Sequence, residues 1–242
     1  MADRIDLTIG EVTAAALIGV PAGSGPFPGV VATFHRRGLD GFTGWLVDEL
    51  AANGYGAIAP DHYHALPEGA DVEERRDYLT DEQMALDLEA AADRLIAEDN
   101  IDADRFALIG HCMGGRTTWV GLATYPGRWR CGCVWYGGNA FKQMGKVPAP
   151  ADRLGDIACP VAGFFGIDDP NPSPDDVDRL DAMLTALGKA HEFHRYDGAG
   201  HAFMSSDGEK YREAPAKDSW SKALDFLGRH LGRGASAPPH SR

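Results

Sequence analysis

Along the chain, short unbroken apolar runs alternate with longer stretches in which apolar side chains recur every three or four positions. An apolar run of roughly four to eight residues suits a strand covered on both faces, and the longer spacing suits a helix with one buried stripe. AALIGVPA (15–22), GVVATFH (29–35), YGAIAPD (55–61), RFALIGHC (105–112), RCGCVWYGG (130–138) and PVAGFFGIDD (160–169) are strands on this criterion. HEFHRYDGAGH (191–201) is a strand running into a loop. Helices are expected over 42–54, 80–99, from Cys112 to about Tyr125, over 173–188 and over 214–232. Ser173 is placed as an N-cap with Pro174 at the first helical position, and acidic residues in the first turn support the helix at 80–99. Strand–helix alternation of this kind predicts an α/β fold: a mostly parallel sheet with helices on both faces. Residues 1–232 form one expected domain, and the small, polar, Pro-rich tail over 233–242 is expected to be disordered.

The composition is that of a globular protein, with 44% hydrophobic and 24% charged residues among 242. A net charge of −13 argues against nucleic acid and against an anionic membrane surface. No apolar run approaches the roughly 18 residues that span a bilayer, and MADRIDLTIG carries no signal-peptide pattern. The cysteines at 112, 131, 133 and 159 are irregularly spaced, unlike a disulfide framework. A reducing cytoplasm is the expected location, as a monomer or small homo-oligomer. Cys131 and Cys133 are expected as packed core thiols, since no second pair completes a metal site.

The candidate chemistry centres on GHCMGG (110–115). Cys112 sits two residues after Gly110 and before Gly114 and Gly115, in a strand-to-helix turn. This is the thiol version of the nucleophile elbow, whose neighbours must be small because strand and helix crowd it. The helix N-terminus lowers the thiol pKa. FFGIDD ends a second strand with Asp168 and Asp169, and YDGAGHAF places His201 after the last strand. Nucleophile, acid and base, in that chain order at strand ends, form the expected triad.

GHCMGG, FGIDDPNPSPDDV, YDGAGHAF and GYGAIAPDHY together resemble the dienelactone hydrolase family of α/β-hydrolases over about residues 10–230. The resemblance implies an α/β-hydrolase fold without a large lid domain. It implies Cys112 as nucleophile, His201 as general base and Asp169, rather than Asp168, as the acid that orients the imidazole. The oxyanion hole would be the backbone N–H of Met113 with that of Arg36. The implied activity is hydrolysis of a small carboxylic ester or lactone through a thioester, with no metal or organic cofactor. A thioesterase or acyltransferase on the same triad, and a non-catalytic binder of carbonyl ligands, are the alternatives.

Two positions depart from the family pattern. His35 stands where the family has a Glu ahead of its xxGL stretch, and Ser205 stands where its dienelactone enzymes have an Arg for the substrate carboxylate. Arg36, Arg37, Arg75, Arg76 and Arg116 are candidate replacements for that Arg. His35, His62, Tyr136, Phe141 and Arg116 are expected to line the substrate pocket. For His35, His62 and His64 a metal site is the lesser reading. Of Trp135, Tyr136 and Phe141, at least one is expected to be core.

Overall fold

The computed structural model describes residues 1–34, 36–66, 75–206 and 208–232. Its strands are β1 (Asp3–Ile9), β2 (Val12–Gly19), β3 (Phe27–Thr33), β4 (Gly56–Pro60), β5 (Ile101–His111), β6 (Cys131–Trp135), β7 (Val161–Gly166) and β8 (His191–Tyr196). The helices are α1 (Gly41–Ala52), α2 (Asp81–Ile96), α3 (Met113–Thr124), α4 (Pro174–Ala186) and α5 (Glu213–Leu231). One sheet runs in the order β1-β2-β4-β3-β5-β6-β7-β8. From β4 to β8 all pairings are parallel, while β2 meets β4, and β1 meets β2, antiparallel. The expected mostly parallel sheet is present, and no lid domain stands over it among the described residues.

The strand period of two sends alternate side chains into two separate cores. Val31, Phe106 and Leu108 pack with Leu88 of α2, Trp119 of α3 and Leu180 of α4. Val30, Ala107 and Ile109 pack on the opposite side with Leu46 of α1 and Phe226 and Leu227 of α5. Because both faces are covered, the central strands are apolar throughout, which is why they stood out in the sequence. β1 was not among the predicted strands. It lies at the sheet edge, where only Leu7 and Ile9 are buried and Asp6 and Thr8 face solvent.

The helix starts follow local capping chemistry. Ser173 and Asp176 form a reciprocal capping box before α4, with Pro174 in its first turn. Asp40 caps α1 and Thr80 caps α2 through their side chains. α3 differs, because its N-cap is Cys112 and no side chain caps it. The amides of its first turn are therefore left for another acceptor.

Candidate active site

β5 ends at His111, and the chain turns through Cys112 with φ 59° and ψ −117°. This left-handed backbone is strained for a residue with a Cβ. The turn is possible because its neighbours are bare. A Cβ on Gly110 would lie 2.2 Å from the Gly114 carbonyl oxygen, and one on Gly114 would lie 2.0 Å from that of Thr33. Two backbone amides, Met113 at the start of α3 and Arg36 in the loop after β3, hydrogen-bond to the Cys112 sulfur.

His201 Nε2 stands 2.9 Å from Cys112 Sγ, and its Nδ1 stands 2.9 Å from Asp169 Oδ2. The other carboxylate oxygen of Asp169 accepts the Asn171 amide at 2.8 Å, which fixes the carboxylate plane. Asp169 is buried, and its neighbour Asp168 is exposed. The structure thus brings Cys112, His201 and Asp169 into one line. Burial alone would raise the Cys112 thiol, but the His201 hydrogen bond and charge, with the Met113 and Arg36 amides, outweigh it and hold the thiol below its usual range. Burial likewise opposes charge on His201, yet Asp169 and Cys112 push the imidazole up to about 10. The two shifts describe one coupled pair, thiolate facing imidazolium.

A cavity of about 850 Å³ opens over this line. Tyr136 and Arg116 line it, but neither offers its polar end freely. The Tyr136 ring meets His201 edge-on at 5.1 Å, and its phenol is engaged by the Met204 backbone and the Ser205 side chain. Arg116 is 2% exposed and binds both oxygens of the fully buried Asp81, the Asn139 carbonyl at 3.2 Å and the Lys142 carbonyl at 2.6 Å. It holds the cavity wall together. Phe141 lines a smaller neighbouring pocket, with the Arg179 guanidinium 3.8 Å from its ring centre. His62 does not line the cavity; it is fully buried between Thr33 and Asp87. Trp135 is core, stacked between His111 and Phe164. His35 lies outside the described residues. Among the described residues no cluster of His, Cys, Asp or Glu could hold a metal ion.

The sequence reading missed Asp81 and Asp87. Both fall in register with Met84, Leu88, Ala91 and Leu95 on the buried stripe of α2. A carboxylate in an apolar stripe signals a buried partner, a signal that the helix-dipole account of acidic first-turn residues hides. Among the described residues, the non-glycine positions with left-handed backbone are Cys112, Tyr136, Asn139 and Ala202, and all four line the cavity.

The sequence model of the Dienelactone hydrolase family matches residues 14–231. The chain belongs to the dienelactone hydrolase family. A relative from Methylorubrum extorquens named "Putative carboxymethylenebutenolidase" is 31% identical over 216 residues, covering 86% of this chain and 74% of the relative. A Bradyrhizobium protein named "Probable 2-oxo-3-(5-oxofuran-2-ylidene)propanoate lactonase" is 24% identical over 236 residues, covering 95% and 94%. The crystal structure of a "Putative Dienelactone Hydrolase" from Klebsiella pneumoniae superposes with a TM-score of 0.88 at 27% identity, covering 95% of this chain and 98% of that one. This dienelactone hydrolase family member therefore has the α/β-hydrolase fold, and hydrolase activity of that family is supported. Among its described residues no helix is long and apolar enough to cross a membrane.

Proposed function

We propose that the protein hydrolyses a small carboxylic ester or lactone through a cysteine thioester, with Cys112 as nucleophile, His201 as acid and base, and Asp169 as the group that fixes the imidazole. The observation that carries this reading is the Sγ···Nε2 and Nδ1···Oδ2 line at 2.9 Å each, with two backbone amides directed at the same sulfur. The Cys112 thiolate attacks the carbonyl carbon, and the carbonyl π electrons move to oxygen. The Met113 and Arg36 amides, which face the sulfur in the resting site, are placed to receive that developing oxyanion. As the tetrahedral intermediate collapses, the C–O bond to the alcohol breaks and the imidazolium gives its Nε2 proton to the departing oxygen. His201, now neutral, takes a proton from water as water attacks the thioester. Collapse then expels the thiolate and releases the acid.

A lactone is the favoured substrate class. The relatives from Methylorubrum and Bradyrhizobium are named for lactone hydrolysis. Arg36, Arg37, Lys142 and Lys210 line the cavity against Asp77 and Glu209, a positive surplus that suits an acidic lactone. The test is a panel of neutral and acidic esters and lactones, run with wild type and Cys112→Ala, with the acyl-enzyme trapped and located by mass spectrometry. Turnover that survives in Cys112→Ala, or an acyl group found elsewhere, refutes the reading.

A further inference from the structure

Beneath the oxyanion loop lies a second hydroxyl–imidazole–carboxylate line, fully buried and away from the cavity. The Thr33 hydroxyl is 2.8 Å from His62 Nε2, and His62 Nδ1 is 2.7 Å from Asp87 Oδ2. Thr33, His62 and Asp87 are each 0% exposed. The other Asp87 oxygen takes His64 Nε2 at 2.9 Å and the Gln83 side-chain amide at 2.9 Å. We propose that this line is a positioning relay that holds the Arg36 amide on the reacting centre.

The directions of its hydrogen bonds follow from chemistry. An ionised carboxylate only accepts, so His62 presents Nδ1–H to Asp87. Through Nε2 the same ring meets the Thr33 hydroxyl, a group that both donates and accepts. Burial opposes ionisation of Asp87, yet the bonds from His62 and His64 hold its carboxyl down to about 2. Asp87 therefore fixes the tautomer of His62, and His62 fixes the rotamer of Thr33.

Thr33 is the last residue of β3, and its carbonyl is the atom against which bare Gly114 packs. From it the chain leads through Phe34 to Arg36. The same turn that carries His62, residues His62–Ala65, grips that loop a second time. Tyr63 donates its hydroxyl to the Arg36 carbonyl at 2.9 Å, and Arg75 donates to the same oxygen at 2.9 Å. The Phe34 ring packs on both His62 and Tyr63, at 5.1 and 5.4 Å. Asp87 of α2 thus anchors one turn, and that turn holds the chain on both sides of the Arg36 N–H, at Phe34 before it and, in the next peptide, at the Arg36 carbonyl after it. The burial of an otherwise expensive carboxylate–imidazole set has an account in this role, since amide direction decides how well a developing oxyanion is received.

The inference rests on the reading of the Arg36 amide as an oxyanion donor. Its test uses variants that change single polar atoms: Thr33→Val, Thr33→Ser and Tyr63→Phe. Each is measured for kcat and KM on an ester cleaved by wild type, for the rate of Cys112 alkylation by iodoacetamide, and for its melting temperature. Alkylation forms no oxyanion, so it reports the nucleophile, whose thiolate is held first by His201 and only in part by the Met113 and Arg36 amides. Thr33→Val is expected to lower kcat about tenfold or more, with KM within about twofold of wild type and alkylation slowed far less than turnover. Thr33→Ser is expected to recover most of kcat. Tyr63→Phe carries the test if Thr33→Val does not fold, with a smaller loss of the same kind. Unchanged kcat in folded Thr33→Val or Tyr63→Phe overturns the relay. So does an equal loss of alkylation, which would mean that the elbow itself had moved, or a Thr33→Ser protein no better than Thr33→Val. Ester turnover in wild type that survives Cys112→Ala would instead refute the underlying catalytic reading.

Discussion

Replacing Arg116 with Met should destabilise the protein in a strongly pH-dependent way. Arg116 is 2% exposed and Asp81 0% exposed, and the guanidinium makes two bonds to that carboxylate and one each to the Asn139 and Lys142 carbonyls. Methionine keeps the apolar stem but leaves the carboxylate alone in the core. Removing one partner of such a pair costs about 3–5 kcal/mol, which for a chain of this size is about 6–20 °C in Tm. Burial already raises the Asp81 pKa despite Arg116. A carboxyl whose folded pKa is raised contributes stability that is present below its unfolded value and is lost as pH rises through the folded one. Without Arg116 that folded value rises further, so the deficit against wild type should be smallest near pH 4 and grow toward pH 8. Urea unfolding followed by tryptophan fluorescence at several pH values measures it. The double variant Arg116→Met, Asp81→Leu should recover most of the loss, because it removes the orphaned charge as well. A loss below about 1 kcal/mol at pH 8, a pH-independent loss, or a double variant no better than the single would each refute the reasoning.

Cys112→Ala and His201→Ala should each lower kcat/KM for an ester by at least about 10³-fold, since triad members act as a unit. Asp169→Asn should be severe and Asp168→Asn mild, because only Asp169 is buried and bonded to His201; steady-state kinetics on the four variants decide this. With its thiol held low by His201, Cys112 should alkylate with a shallower pH dependence from pH 7 to 8.5 than an ordinary thiol, which speeds up roughly 15-fold; mass spectrometry identifies the labelled residue, and turnover should fall as the imidazolium is lost near pH 10. Gly114→Ala should fail to fold or lose activity together with alkylation, since its Cβ would sit 2.0 Å from the Thr33 carbonyl oxygen; circular dichroism and the same alkylation assay separate the two outcomes. Chelation with EDTA should leave turnover and Tm unchanged, as no ligand cluster exists among the described residues.

What the chain disclosed about itself follows the range of each force. The central strands are buried on both faces, so β3 to β7 announce themselves as apolar runs, and the caps at Ser173 and Pro174 act within one helical turn. Edge strand β1 has one wet face and carried too weak a signal. Cys112, Asp169 and His201 were legible because each follows a strand end, and a parallel sheet brings such ends together. The role of Arg116 was not legible. Its partner lies 35 residues away, and only the packing of α2 against α3 makes them meet. His62 sat at the correct end of the correct strand, but its ring turns inward to Asp87, 25 residues on, rather than outward to substrate. Position along a strand predicts which loop a residue occupies, whereas rotamer is settled by contacts from elements distant in sequence.

The left-handed backbone at Cys112, Tyr136, Asn139 and Ala202 sets a conflict for anyone wishing to make this protein hardier. Each such residue carries a local conformational cost of about 1–2 kcal/mol, so a screen for heat resistance would be drawn to these positions, with glycine as the obvious relief. Yet glycine would remove the very side chain, or loosen the very peptide, that shapes the cavity. Thermal tolerance is better sought at the exposed edges of the sheet, and variants that gain it at these four positions should be checked first for lost turnover.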